Sequence, residues 1–131
     1  MVLVDTSSWI HFLRPDGDAA VRERVKALLE AGIACWCPMI RLELWNGAGG
    51  DREKRVLRQF EKLIPELAIT PEVWDDMYDL ARRCRAAGVT GPASDIVIAA
   101  CARHHGAGLD QCDADFDHIS GAIDPAPRKG K

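Results

Sequence analysis

Val2, Leu3 and Val4 are apolar in succession and give way at once to Asp5, Thr6, Ser7 and Ser8. A short unbroken apolar run of this kind predicts a strand buried on both faces, as in a parallel sheet. Trp9, Ile10, Phe12 and Leu13 begin a helical stretch, and Arg14-Pro15-Asp16-Gly17 is a turn. Asp18 caps a helix whose apolar face is Val21, Val25, Leu28 and Leu29, closed by Gly32. Ile33 to Cys37 reads as a second short strand. Pro38 then suits the first position of a helix carrying Ile40, Glu43 and Leu44, ended by Gly47, Gly49 and Gly50.

Val56, Phe60 and Leu63 recur at helical spacing and predict a further helix that stops near Pro65. Leu67 to Ile69 is read as a brief third strand. Thr70-Pro71-Glu72 is a helix start, and Val73, Trp74, Met77, Leu80, Ala81 and Cys84 repeat at helical spacing up to Gly88. Pro92 to Ser94 lead into Asp95, followed by Ile96 to Ala102, apolar throughout, which predicts a buried helix. Gly106 to Leu109 is a last strand, followed by Asp113-Ala114-Asp115-Phe116. Strands alternating with helices predict an α/β fold, a short, mostly parallel sheet flanked by helices.

The 131 residues suit one compact domain, read as residues 1–123, with a flexible basic tail over residues 124–131 that carries Arg128, Lys129 and Lys131. No long uncharged apolar run is present, so a membrane span is not expected, and the apolar start without a basic region and cleavage site predicts a chain that stays in the cytoplasm. The five cysteines (Cys35, Cys37, Cys84, Cys101 and Cys112) include no C-x-x-C pair and read as small buried hydrophobes kept reduced. A zinc site on Cys35, Cys37 and a histidine pair is the sharper reading, and it lacks the usual two spaced ligand pairs. The four tryptophans lie in apolar patterns and read as core, with Trp45 the one suited to a partner groove. The histidines read as ordinary surface or hydrogen-bonded residues. A formal net charge of −3 does not advertise nucleic-acid binding, unless several of the acids are gathered around a cation that reverses the local field.

The carboxylates carry the chemistry. Asp5 ends a buried strand, and the carboxyl ends of parallel strands form the ligand crevice of open α/β sheets; a helix cap is the equal alternative. Glu43 shares a helix face with Met39, Ile40 and Gly47, so it needs a compensating partner, and Arg41 points elsewhere. Asp95 opens the most apolar helix, where an acid is favoured on electrostatic grounds alone. Asp113, Asp115 and Asp117 form a further acid cluster. Acids from separate segments that converge on one crevice repel each other without a cation, and magnesium takes a few carboxylates plus water and phosphate oxygens. Phosphate-binding glycine loops and nucleophile elbows are absent from the sequence.

With those residues in place, the chain resembles the PIN-domain family, VapC type, from Val2 to Ile119. Val2-Leu3-Val4-Asp5-Thr6-Ser7 resembles the opening strand with its first metal acid, and Pro38-Met39-Ile40-Arg41-Leu42-Glu43-Leu44 the helix with the family's glutamate. Asp95 to Ala102 resembles the segment with the third acid, and Asp113-Ala114-Asp115-Phe116 the closing D-x-D-F element. The resemblance implies a three-layer fold and a catalytic quartet of Asp5, Glu43, Asp95 and Asp113. In that set Asp5, Asp95 and Asp113 hold the metal, and Thr6, Ser7 and Asp115 are auxiliary. It further implies Mg²⁺ or Mn²⁺, cleavage of structured RNA (tRNA or rRNA), a homodimer, and a small cognate antitoxin that blocks the site. Two departures stand out: Gln111 where Thr, Ser or His is common, and Asp110 where an apolar strand residue is usual.

The expected reaction is hydrolysis of an RNA phosphodiester without the 2′-hydroxyl as nucleophile, leaving 5′-phosphate and 3′-hydroxyl ends. Arg52, Lys54 and Arg55, and the cluster Arg82, Arg83 and Arg85, are candidate backbone contacts, or else solvated helix faces. Two rivals remain. An aspartate-based phosphatase would use Asp5 as nucleophile, but needs a second acid where Ser7 stands. A PIN-like RNA-binding module without catalysis would leave repelling carboxylates with no offsetting ion.

Overall fold

In the computed structural model, residues 1–112 and Ile119 are described. Among these residues the sheet has three parallel strands in the order β2-β1-β3, with β1 (Val2–Val4) between β2 (Ala34–Cys35) and β3 (Gly108–Asp110). Leu3 and Val4 of the central strand are fully buried, as a strand paired on both edges and covered on both faces requires. Among the described residues six helices flank it: α1 (Thr6–Leu13), α2 (Ala19–Glu30), α3 (Pro38–Gly47), α4 (Asp51–Leu63), α5 (Pro71–Ala86) and α6 (Ala93–His104). The expected α/β architecture with a short parallel sheet is therefore present.

The helix signals act as the residues suggest. Asp18 accepts the Val21 N–H at 3.0 Å to start α2, Gly32 follows its end at φ +69, and Pro38 is the first residue of α3. Gly17 packs so closely on His11 that a Cβ would stand 1.9 Å from the His11 carbonyl oxygen, so the α1–α2 turn admits only glycine there. Thr70 precedes α5 without a side-chain cap bond, leaving Pro71 as the start signal.

One expected strand is not formed. Residues 67–69 do not extend the sheet; contact is a single parallel bridge between Trp36 and Glu66, with Trp36 N–H on the Pro65 carbonyl and Leu67 N–H on the Trp36 carbonyl. Pro38 and Pro71 close the two segments into helices on either side, so the pairing has no room to grow.

The core is aromatic beneath α1. Trp9 meets Trp36 and Phe12 edge-on, and its ring centroid lies 5.2 Å from that of Phe60. Trp9 Nε1 is buried with no hydrogen-bond partner among the described residues. Trp74, read from sequence as core, is instead 46% exposed and stacks beside Tyr78 on the outer face of α5. Val73, its neighbour, takes the buried position.

Cys35, Cys37, Cys84 and Cys101 are buried, as expected, whereas Cys112 is exposed. Burial pushes the Cys35 thiol up to about 11 and raises Cys84. A hydrogen bond between Cys37 and Cys101 draws the former down and pushes the latter up. Among the described residues no group of three or more His, Cys, Asp or Glu forms a metal-holding cluster, so the zinc reading finds no support there. No described helix is long and apolar enough to cross a membrane.

Trp9→Ala is expected to cost about 3–5 kcal/mol in urea unfolding, the usual range for emptying a large aromatic site. Trp9→Phe should cost far less, because it keeps ring packing and removes an N–H without a described partner. In the native protein a disulfide reagent should titrate the single exposed thiol of Cys112, and all five only after denaturation; rapid modification of several native thiols would contradict the packing.

Candidate active site

The central strand ends at Val4, and the chain turns directly into α1 through Asp5. Asp5 is 5% exposed and serves as the N-cap of that helix: its Oδ2 accepts the Ser7 N–H at 3.2 Å and the Ser7 hydroxyl at 2.7 Å. Cap and candidate metal acid, alternatives in the sequence, are thus the same carboxylate. Its backbone N–H is held by the Asp110 carbonyl at 2.9 Å, which fixes it to the end of β3.

Glu43 comes to the same turn from another helix. Thr6 Oγ1 donates to Glu43 Oε1 at 2.8 Å, across 37 residues of sequence. The two auxiliary residues therefore divide the work: Ser7 holds Asp5, and Thr6 reaches the glutamate. Glu43 is half-buried rather than buried, because its face of α3 opens on a cavity of about 450 Å³ between α1, α3 and α4. Arg41 indeed points away, to Glu61 and Glu66.

Asp95 is 9% exposed in the first turn of α6. The chain reverses after α6 through Gly106, at φ +64, into β3, so α6 runs against the strand and its N-terminal end lies toward the strands' carboxyl rim. α3 also starts at that rim, directly after β2. Topology thus brings positions 5, 43 and 95 to one end of the sheet, and a hydrogen bond links Glu43 to Thr6, the residue after Asp5. Asp113 and Asp115 lie outside the described residues, as do Asp117 and His118, so the quartet as a whole is not described.

The acids and hydroxyls that the topology sends to this rim (Asp5, Glu43 and Asp95 with Thr6 and Ser7) are oxygen donors, although among the described residues these three acids do not by themselves make a metal-holding cluster. That chemistry fits a hard divalent cation rather than zinc or copper. The described histidines are engaged elsewhere, as expected. His11 Nδ1 accepts the Asp18 N–H, His104 pairs with Asp76 at 3.0 Å, and His105 contacts the Ala68 carbonyl.

Of the basic candidates, Arg52 lines the cavity with Glu43, alongside Arg14 and Arg22, which the sequence did not single out. Arg82 and Arg83 are paired with Asp79 at 3.6 and 2.9 Å, and their helix face is solvated. Trp45 donates to Glu61 and lies under Arg58. Also missed was the pairing of Asp110 with Ser8 and Arg24, although Asp110 was conspicuous as an acid in an apolar strand.

The PIN domain family profile matches residues 2–122. Ribonuclease VapC11 of Mycobacterium tuberculosis is 36% identical over 129 residues, covering 92% of each chain. The fold is similar to that of FitAcB from Neisseria gonorrhoeae, at a TM-score of 0.69 and 20% identity over 92% of this chain and 94% of that one. It is also similar to VapBC2 from Rickettsia felis, at a TM-score of 0.70 and 11% identity over 87% of this chain and 89% of that one. Nearly the whole length is accounted for, with the acid-bearing turn and helices inside the match: the chain belongs to the PIN-domain family, VapC type.

Proposed function

We propose that this protein is an endoribonuclease, the toxin of a VapBC-type toxin–antitoxin pair, using a carboxylate-held Mg²⁺ or Mn²⁺. The observation that carries the reading is the Thr6–Glu43 hydrogen bond, which ties the strand-end turn of Asp5 to an acid on a different helix. Similarity to a relative named as a ribonuclease supports the substrate class. The fold likeness to chains solved as VapBC2 and FitAB on DNA supports a protein partner. By the family resemblance that partner is a small antitoxin, the protein is a homodimer, and the RNA is tRNA or rRNA.

In this reading Asp5, Asp95 and Asp113 hold the cation and Glu43 faces the reacting phosphate, with Asp115 auxiliary. When bound, a divalent ion lowers the pKa of a coordinated water and offsets charge that builds on the phosphodiester. The chain's own residues do the rest. Ser7 fixes the rotamer of Asp5 through two donors, and Thr6 holds Glu43 with one oxygen toward the turn. Arg14, Arg22 and Arg52 set positive charge around the cavity beside Glu43, where an RNA backbone needs it. The aspartate-phosphatase alternative is disfavoured because Ser7, in place of a second acid, is bonded to Asp5.

The test is purified protein on total RNA with Mn²⁺, with and without EDTA. Cleavage should require the metal and leave 5′-phosphate and 3′-hydroxyl ends, and Asp5→Asn should reduce it to background while keeping the fold and antitoxin binding. Cyclic 2′,3′-phosphate ends, or full activity in EDTA, would refute the mechanism. Thr6→Val keeps shape and loses the bond to Glu43; activity should fall at least about tenfold, because a group facing the reacting phosphate loses the partner that orients it. Its stability should change by only about 1 kcal/mol, the net worth of one hydrogen bond.

A further inference from the structure

At the end of β3 stands a carboxylate that the acidic site does not use. Asp110 has a side chain only 7% exposed, at the end of the three-residue strand β3. A carboxylate so placed is costly unless it is paired and hydrogen-bonded. It is both. Ser8 Oγ, from α1, donates to Asp110 Oδ1 at 2.8 Å. Arg24, from α2, places Nη2 3.1 Å from Oδ1 and Nε against Oδ2, a two-pronged contact. A planar guanidinium engaged at two points fixes orientation as well as charge.

The same two side chains reach one step further along the chain. Ser8 Oγ lies 3.5 Å from Cys112 Sγ, and Arg24 Nη2 lies 3.8 Å from it. Residues 110 and 112 are thus gripped from two helices, and the next peptide bond leads to Asp113. On its other side Asp110 pairs in register with Val4, and its carbonyl accepts the Asp5 N–H. One residue therefore joins the first candidate metal acid to the chain that leads into the fourth.

We propose that Arg24 and Ser8, acting through Asp110, are positioning residues that fix the chain leading into Asp113 relative to Asp5 and so set the cation affinity of the acidic site. The inference rests on the metal-site reading above. It makes a signed prediction that simple electrostatics reverses. Removing a positive charge near a group of carboxylates should strengthen cation binding by Coulomb's law. Losing the positioning contact should weaken it.

The experiment is a calorimetric Mn²⁺ titration of the full chain, paired with the Mn²⁺ concentration giving half-maximal RNA cleavage. Arg24→Ala should weaken Mn²⁺ binding about tenfold, as lost outer partners of metal ligands do, and raise the half-maximal Mn²⁺ by the same factor. The cleavage rate at saturating Mn²⁺ should largely return. Lys26→Ala makes the same charge change on the same helix, removes only the exposed pair with Glu30, and should bind Mn²⁺ like the wild type. Arg24→Lys keeps the charge without the planar fork; it should fold, recover only part of the affinity, and decide the matter if the alanine variant does not fold.

Unchanged or tighter Mn²⁺ binding in the Arg24 variants, with or without lower thermal stability, would overturn the positioning role. If Asp5→Asn still loses Mn²⁺ in that case, the metal site stands without it. A wild-type protein with no saturable Mn²⁺ binding would sink both.

Discussion

A strand that is hydrogen-bonded along both edges and covered on both faces has no place for a polar side chain until it ends. β1 is that strand here, and its constraint organises the molecule. Leu3 and Val4 have only core to face, so the first residue able to do chemistry is Asp5, where the chain leaves the sheet. Parallel pairing then requires every neighbour to end at the same rim, because β2 and β3 run with β1. Helices that follow a strand start at that rim, and one that precedes a strand through a tight turn also has its first turn there. Asp5, Glu43 and Asp95 come from distant parts of the sequence, yet each lies on an element whose position follows from this geometry.

Much of that was legible in the letters, for identifiable reasons. The run Val2-Leu3-Val4, the Pro38 start, the Gly32 stop and the uniformly apolar helix after Asp95 each carry a strong local signal: unbroken burial, a missing N–H, a positive φ, or no polar face. The acids were visible because a carboxylate among apolar neighbours needs an explanation. What the sequence did not resolve were choices between equivalent neighbours. Val73 and Trp74 both suit a helix face, and the rotation of about 100° between successive helical residues decides which is buried; the larger ring lies outside. Leu67 to Ile69 has strand composition, but whether a partner strand runs beside it for more than one residue depends on where the neighbouring helices begin. Cys112 looked like the other cysteines, and only its place after the last strand exposes it.

Pairings across long separations were the least readable. Thr6 with Glu43, and Asp110 with Ser8 and Arg24, leave no periodicity and no motif. The only sequence hint was a misfit, an acid where a strand should be apolar. Such misfits point to a partner without naming it, because any of several arginines in the chain could have supplied the charge. The fold selects Arg24 since α2 lies against α1 and returns to β2, which brings its middle turns alongside the end of β3.

The acidic character of the protein fits the same logic. A net charge of −3 would repel an RNA backbone if it were spread evenly. It is not spread evenly around the cavity: Arg14, Arg22 and Arg52 line its walls, with Glu43 and Glu53 the acids among them. Glu53 is occupied by the Gly49 and Gly50 amides at the start of α4, and Glu43 by Thr6. Donors thus already face these carboxylates, as Ser7 faces Asp5 and Arg24 faces Asp110. The fold offsets part of each negative charge before any cation arrives. On the proposed reading, the rim that remains would hold a divalent ion, and the arginine-lined wall beside it would accept a phosphate. A uniformly basic protein would satisfy the second need and defeat the first.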